Sequence, residues 1–120
     1  MATLKEINSY QLFVASHPQF NEWQANILLR KDNTVVVDVR FVPDPGYWAS
    51  HGNINANGIS LIYVGIERYS WFVDILRNEK PLFAVLYPAV GATPVRLLLQ
   101  TSSEPVGEAE GVLAERAVFA

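Results

Sequence analysis

The clearest alternation of apolar and polar residues lies on either side of Lys31-Asp32-Asn33. Every second residue is apolar over 23–29 and again over 35–41, a period typical of half-buried β-strands, so the two runs predict a β-hairpin. A turn of Asp32 and Asn33 alone would place the two apolar rows on opposite faces. We therefore expect a loop of all three residues, closed by Asn33 at a positive φ. This loop gives the pairs Leu29 with Val35, Ile27 with Val37, Ala25 with Val39 and Trp23 with Phe41.

Further segments predict strands and one helix. Strands are expected at 7–14, 59–64, 82–87 and 95–101. Apolar positions cover more than half the circumference of a helix over 67–78, which Pro81 would end. Residues 42–57 are rich in Pro, Gly and Asn and predict a long irregular stretch. Loops above about 12 residues are uncommon in compact domains and are often functional.

These elements predict a single α+β domain over residues 1–107. We expect a largely antiparallel, strongly curved sheet of about five to six strands with one main helix (67–78). The strand at 59–65, the helix and the strand at 82–87 also fit one right-handed βαβ crossover, which would make the sheet mixed. The pattern does not separate these two arrangements. Residues 108–120 are expected to form an acidic, weakly ordered or helical tail.

Composition narrows the classes of partner. Half of the 120 residues are hydrophobic and 18% are charged, which is typical of a globular chain. The net charge is −3, and the one adjacent basic pair, Arg30-Lys31, stands beside Asp32. We therefore expect neither nucleic acid nor a membrane surface as a partner. The first residues lack a basic region followed by an apolar stretch, so we expect a cytoplasmic protein.

We expect no metal and no other cofactor. The chain has no cysteine, which excludes a thiolate nucleophile and a zinc-thiolate site. Asn53, Asn55, Asn57 and Gly58 resemble the first half of an EF-hand loop, but Val64 stands where that loop needs a bidentate Glu. A polar loop with an Asn-Gly turn explains these residues better.

Aromatic residues and one carboxylate form a candidate binding site. Tyr47, Trp48 and His51 lie in the long irregular stretch, which can approach Glu67 at the start of the helix. Aromatic walls with a carboxylate suit an apolar or cationic small ligand. The alternative is that these aromatic residues belong to the core or to an interface.

His51 also carries the hypothesis of a small acid–base enzyme. Its partner carboxylate would be Asp38, Asp44 or Glu67, in a cleft under the long loop. The other histidine, His17, precedes Pro18 and is expected in a turn. A third hypothesis is a protein-interaction module that uses the acidic tail.

Surplus apolar surface predicts self-association. The segments 59–64 and 82–87 are apolar on both faces, and one helix shields only one face of a sheet. We therefore expect a homodimer or a higher closed homo-oligomer, with Trp71 and Ile75 in the interface. Closure of the sheet into a barrel is the alternative.

Two segments carry a resemblance to a known group of proteins. ERYSWFVDILRNEKP (residues 67–81) and TSSEPVGEAE (residues 101–110) resemble stretches in small uncharacterised proteins of bacterial mobile gene cassettes of the integron type. The resemblance implies a bacterial cytoplasmic protein with an accessory role. It implies no reaction, so no site residue follows from it. Our first hypothesis is a non-enzymatic accessory protein that self-associates and binds a small ligand.

Overall fold

The computed structural model describes residues 2–16, 24–55 and 57–102. The elements within these ranges are β1 (Thr3–Ile7), β2 (Ser9–Val14), β3 (Ala25–Lys31), β4 (Thr34–Val42), α1 (Pro45–Trp48), β5 (Ser60–Gly65), α2 (Tyr69–Asn78), β6 (Leu82–Tyr87) and β7 (Arg96–Thr101). A 3-10 turn follows α1 (Ala49–His51), and another precedes α2 (Ile66–Arg68). The described strands form a first sheet in the order β2-β3-β4-β5 and a second sheet in the order β1-β6-β7.

The predicted α+β class is confirmed, but the prediction of a single curved sheet with one main helix is wrong. Residues 7–14, predicted as one strand, divide at Asn8 between the two sheets. The Asn8 backbone N–H donates to the Arg30 carbonyl at 2.9 Å. The Asn8 side chain accepts from the Asp32 N–H at 3.0 Å and donates to the Asp32 carboxylate at 2.8 Å. These three bonds hold the bend that sends β1 to β6 and β2 to β3.

The βαβ crossover does not form, because β5 and β6 belong to different sheets. The first sheet is nevertheless mixed, since β5 runs parallel to β4. The connection between them contains α1 and a 3-10 turn, so the prediction of an irregular stretch over 42–57 is wrong in part. Pro45 begins α1, where its missing N–H costs no hydrogen bond, and the Asp44 carboxylate accepts from the Tyr47 N–H at 3.2 Å.

The hairpin is present, but its predicted loop and register are wrong. The turn consists of Asp32 (φ 50°) and Asn33 (φ 68°), both in the left-handed region. The observed pairs are Leu29 with Val37, Ile27 with Val39 and Ala25 with Phe41, while Trp23 lies outside the described residues. A bulge beside Leu29 leaves Val36 without a cross-strand partner. This extra residue lets a two-residue turn keep both apolar rows on one face.

One hydrophobic core lies between the two sheets and α2. It contains Ile7, Ala25, Ile27, Leu29, Val37, Val39, Phe41, Ile62, Leu76, Leu82, Ala84 and Leu86. Phe41 meets Tyr69 and Phe72 edge to face, with ring centroids 5.1 and 5.2 Å apart, and so positions the first turns of α2. The helix predicted over 67–78 is thus present as α2 and the 3-10 turn before it.

Residues 108–120, predicted as a tail, lie outside the described residues, as does His17. Within the described ranges, no helix is both long enough and apolar enough to span a membrane.

Candidate functional site

An open groove lies between the edges of the two sheets, beside α2. Its volume is about 670 Å³, within the range of small-molecule sites. Apolar side chains from four parts of the chain line it: Pro45 and Ala49 of α1 and the 3-10 turn after it, Ile62 and Val64 of β5, Trp71, Phe72 and Ile75 of α2, and Pro94, Val95, Leu97, Leu98 and Leu99 in and before β7. The groove therefore brings together residues that are far apart in the sequence.

The groove exists because β5 and β7 are both edge strands. Asn53 exchanges two backbone hydrogen bonds of 2.8 Å with Leu61 near the start of β5. A Cβ placed on the neighbouring Gly52 would lie 2.7 Å from Val95 Cγ2, so the backbone there packs closely against the segment before β7. These contacts join the two sheet edges at one end and leave the residues from Ile62 to Gly65 facing the groove.

Glu67 lies on the rim of the groove, at the end of β5. Gly65 is buried, and the Glu67 carboxylate folds back over it so closely that a Cβ on residue 65 would collide with both carboxylate oxygens. Because residue 65 has no side chain, the Glu67 carboxylate can lie directly against its backbone. Within the described residues the Glu67 side chain forms no hydrogen bond or ion pair, and it does not cap α2.

Two arginines also border the groove, and each guanidinium lies over an aromatic ring. Arg68 lies over Trp71, 5.5 Å from the ring centroid, and Arg96 over Tyr87 at 5.2 Å. Both distances are typical of cation–π contacts. Because Arg96 pairs with Tyr87 across β6 and β7, this second contact lies on the sheet surface that carries the exposed Leu98.

Tyr47, Trp48 and His51 form an aromatic cluster with Tyr63 of β5. Trp48 stacks on Tyr63 with centroids 5.4 Å apart and planes inclined by 17°. The His51 ring lies 4.9 Å from that of Trp48 and 6.3 Å from that of Tyr47. The cluster covers the face of β5 that points away from the core, because Ile62 and Val64 point inward.

A polar network on the first sheet holds Tyr63 in place. Arg40 donates to Asp38 at 3.2 Å and to the Tyr63 hydroxyl at 3.5 Å. The buried Asn26 amide donates to the other Asp38 oxygen at 2.8 Å. Burial opposes the charge of Arg40, but Asp38 and Tyr63 outweigh it and raise the pKa of this guanidinium above its ordinary value.

The structure divides the predicted ligand-binding residues between two neighbouring places. Glu67 lies on the groove, together with Trp71 and Ile75, which the sequence suggested for an interface. Tyr47, Trp48 and His51 lie in the aromatic cluster and do not line the groove. Tyr63 belongs to both, since it lines the groove and stacks on Trp48.

Sequence reasoning missed the part of the groove that comes from β7. The signal was present in β7 itself, where Leu97 and Leu99 are half-buried and alternate with exposed residues. Nothing in the pattern indicated that this strand lies opposite β5, because no local feature of a strand specifies a neighbour in another sheet.

The proposed acid–base pair does not form in the described structure. His51 is exposed and makes no hydrogen bond to Asp38, Asp44 or Glu67. Asp38 binds Asn26 and Arg40, and Asp44 caps α1. A histidine base needs a partner that orients its ring, and the aromatic contacts of His51 supply none. The described residues also contain no group of three or more side chains placed to hold a metal ion.

Comparison of the chain with family models, with curated proteins and with solved structures gives no match. The resemblance of residues 67–81 and 101–110 to proteins of integron-type gene cassettes therefore stays a prediction.

Proposed function

We propose that this chain is a non-enzymatic binding protein that holds a small, largely apolar molecule in the groove between β5, α2 and β7. The observation that carries the proposal is the groove itself. Its volume of about 670 Å³ is lined by apolar side chains from β5, α2 and β7, with Pro45 and Ala49 at one side. Small-molecule sites are concave, mostly apolar and supplied with few polar groups.

Burial of the ligand supplies the driving force. Val64, Phe72, Ile75, Leu97 and Leu99 are half-buried, and each contacts the core on one side. A ligand in the groove would remove their remaining apolar surface from water, which stabilises a complex by roughly 25 cal/mol per Å² of buried apolar area. Because core contacts already hold these side chains in place, little conformational freedom would be lost on binding.

A binding role is supported better than an enzymatic one. His51, the base of the enzymatic hypothesis, does not line the groove. The accessory role and the cytoplasmic location implied by the resemblance stay predictions that are compatible with a binding protein.

The experiment compares two exposed aromatic residues. Trp71 and Tyr47 each have 68% of their surface exposed, but only Trp71 lines the groove. Octanol and phenyl-substituted alcohols should raise the melting temperature, since binding to the native state must stabilise it. Trp71→Ala should weaken this binding by about fivefold, the loss expected for an aromatic contact worth about 1 kcal/mol.

The Tyr47→Ala variant is the control and should bind as the parent does. A parent that no apolar compound stabilises would refute the proposal. Equal losses in the two variants would place the ligand elsewhere and refute it as well.

A further inference from the structure

The groove exposes the main-chain edges of two strands as well as their side chains. Its lining contains the consecutive residues 62–65 of β5 and 94–99 in and before β7. Successive side chains of a strand point to opposite faces, so a lining of consecutive residues indicates that the edge of each strand faces the groove. In the described sheets β5 pairs only with β4, and β7 only with β6. The groove therefore separates two open strand edges.

A short piece of extended chain already lies between these edges at one end of the groove. Asn53 exchanges two main-chain hydrogen bonds of 2.8 Å with Leu61 in an antiparallel bridge. The preceding Gly52 is extended (φ −72°, ψ 149°), and a Cβ on it would lie 3.1 Å from the Leu61 carbonyl oxygen and 2.7 Å from Val95 Cγ2. One extended strand thus fills the space between the two edges here. Residues 49–51 form a 3-10 turn instead, so the chain does not continue along the edge of β5.

The main chain of Tyr63 is the next open position on this edge. Successive residues of a strand direct their N–H and C=O groups to opposite edges. Leu61 directs both groups to Asn53, away from β4, so Tyr63 directs its own two groups to the same side. Within the described residues no main-chain partner meets them there. An edge of this kind is a template for a further strand.

The chain that follows β7 is placed to supply that strand. β7 ends at Thr101, shortly after the groove residue Leu99, and residues 103–120 lie outside the described residues. A chain that turns back after Thr101 would run along the open edge of β7, as in a β-hairpin. At about 3.3 Å per residue it would pass the whole of β7 within about ten residues. A tethered segment has an effective concentration on the order of 1 mM, which favours it over a separate partner.

Charge favours the same occupant. Residues 103–120 contain four glutamates and one basic residue, Arg116. The lining of the groove contains the guanidiniums of Arg68 and Arg96 against the single carboxylate of Glu67. Both guanidiniums belong to exposed residues, so carboxylates of a docked segment can reach them. An acidic segment therefore complements the net positive charge of the lining.

We infer that residues 103–120 dock in the groove as an extended strand that pairs with the main chain of Tyr63. The strand would continue the position that Asn53 holds at the edge of β5 and would join the two sheets across the groove. Its glutamates would lie near Arg68 and Arg96. A docked segment would compete with a small molecule for the same apolar lining and so regulate the groove, and this consequence rests on the proposed function.

The test measures hydrogen exchange of the Tyr63 amide by NMR in the full chain. Docking should protect this amide, and two sets of substitutions should reduce the protection by about fivefold, because each removes exposed ion pairs. The first set is Arg68→Gln with Arg96→Gln. The second set removes the charge of the docking segment and consists of Glu104→Gln, Glu108→Gln, Glu110→Gln and Glu115→Gln.

Arg77→Gln is the matched control. Arg77 is an exposed arginine of α2 that does not line the groove, so its loss should leave the exchange of Tyr63 unchanged. Circular dichroism shows whether each variant is folded. Calorimetric titration with octanol adds a second readout: the variant with four glutamines should bind octanol up to about fivefold more tightly than the parent, because a weaker competitor occupies the groove.

The possible outcomes separate the inference from the proposed function. An unprotected Tyr63 amide in the parent, or protection that both sets of substitutions leave unchanged, would overturn the inference. Protection that rises with protein concentration would assign the strand to a second copy of the chain and overturn it as well. A protected, charge-dependent amide in a protein that does not bind octanol would support the docked segment and refute the proposed function alone. Equal octanol affinities in the parent and the glutamine variant would overturn the competition.

Discussion

Trp48 lies flat against Tyr63, with ring centroids 5.4 Å apart and planes inclined by 17°. This contact covers the outward face of β5 with a residue from the same chain. The sequence had indicated that both faces of this strand need cover, and that a second subunit supplies it. The second sheet and α2 cover the inner face, so part of the surplus apolar surface is buried within one chain.

Removal of the Trp48 ring should therefore destabilise the protein. Trp48→Ala is expected to lower the free energy of unfolding by about 2 kcal/mol, because a half-buried indole loses its stacking and its buried area. Urea unfolding followed by circular dichroism measures this change. Tyr47→Ala should cost less than about 1 kcal/mol, since that side chain is mostly exposed. Equal costs would show that the stacked pair does not stabilise the fold.

The hairpin turn contains a position where one substitution should stabilise the protein and another should destabilise it. Asn33 has a φ of 68°, a conformation that glycine adopts without strain. Asn33→Gly should raise the free energy of unfolding by about 0.5 kcal/mol, and Asn33→Val should lower it by about 1–2 kcal/mol. Chemical denaturation of both variants is the measurement. A valine that is tolerated without loss would contradict the two-residue turn.

The polar network behind Tyr63 should couple two residues energetically. Asp38→Ala removes the acceptor of the buried Asn26 amide, which should cost about 2 kcal/mol or more. Asn26→Ala should also destabilise the protein. The double variant should lose about 1 kcal/mol less free energy of unfolding than the sum of the two single losses. A double-mutant cycle from urea unfolding measures this coupling. Strict additivity would show that the Asn26–Asp38 bond contributes nothing.

The Lys31–Glu6 ion pair should make stability depend on pH in the alkaline range. Its atoms are 3.0 Å apart, and the hydrogen bond to Glu6 is the main cause that raises the pKa of Lys31 above 10.5. A raised folded-state pKa stabilises the protein below pH 10.5, and this contribution is lost as the pH rises through the folded value. Lys31→Met should flatten that decline of the free energy of unfolding with pH, as measured by urea unfolding at several pH values. Identical pH profiles for the parent and Lys31→Met would contradict the pairing.

A homodimer stays a prediction, and Trp71 is the residue that tests it. Its side chain is 68% exposed beside the groove, where a partner could cover it. The parent should sediment at twice its chain mass, and Trp71→Glu should sediment as a monomer because a charge there opposes apolar contact. A parent that is monomeric at high protein concentration would refute the dimer.

Local periodicity was sufficient to find several elements but not their arrangement. The run from Leu82 to Tyr87 coincides with β6, and the helical arc after Glu67 coincides with α2. Both follow from the spacing of apolar residues within one segment. The sheets, in contrast, depend on Asn8, whose hydrogen bonds reach Asp32, 24 residues away. No pattern within residues 7–14 specifies those partners.

Individual residues of the candidate site could be predicted from the sequence, but the way the fold brings them together could not. Glu67 stood out as a carboxylate beside aromatic residues, and Trp71 as an apolar residue on the helix. The facing edges of β5 and β7 could not be predicted, because the order of strands in a sheet depends on long-range packing. The hairpin register failed for a related reason: a bulge at Val36 adds one residue that a strict period of two cannot represent.

The bend at Asn8 has a consequence for how the molecule comes apart. Because β1 and β2 are consecutive and belong to different sheets, each sheet takes a strand from one nearly continuous stretch of chain. If β1 or β2 separated from its sheet, the hydrophobic core that lies between the two sheets would be exposed to water. The two halves should therefore melt in a single cooperative transition, with the slowest amide exchange distributed over both β3 and β6.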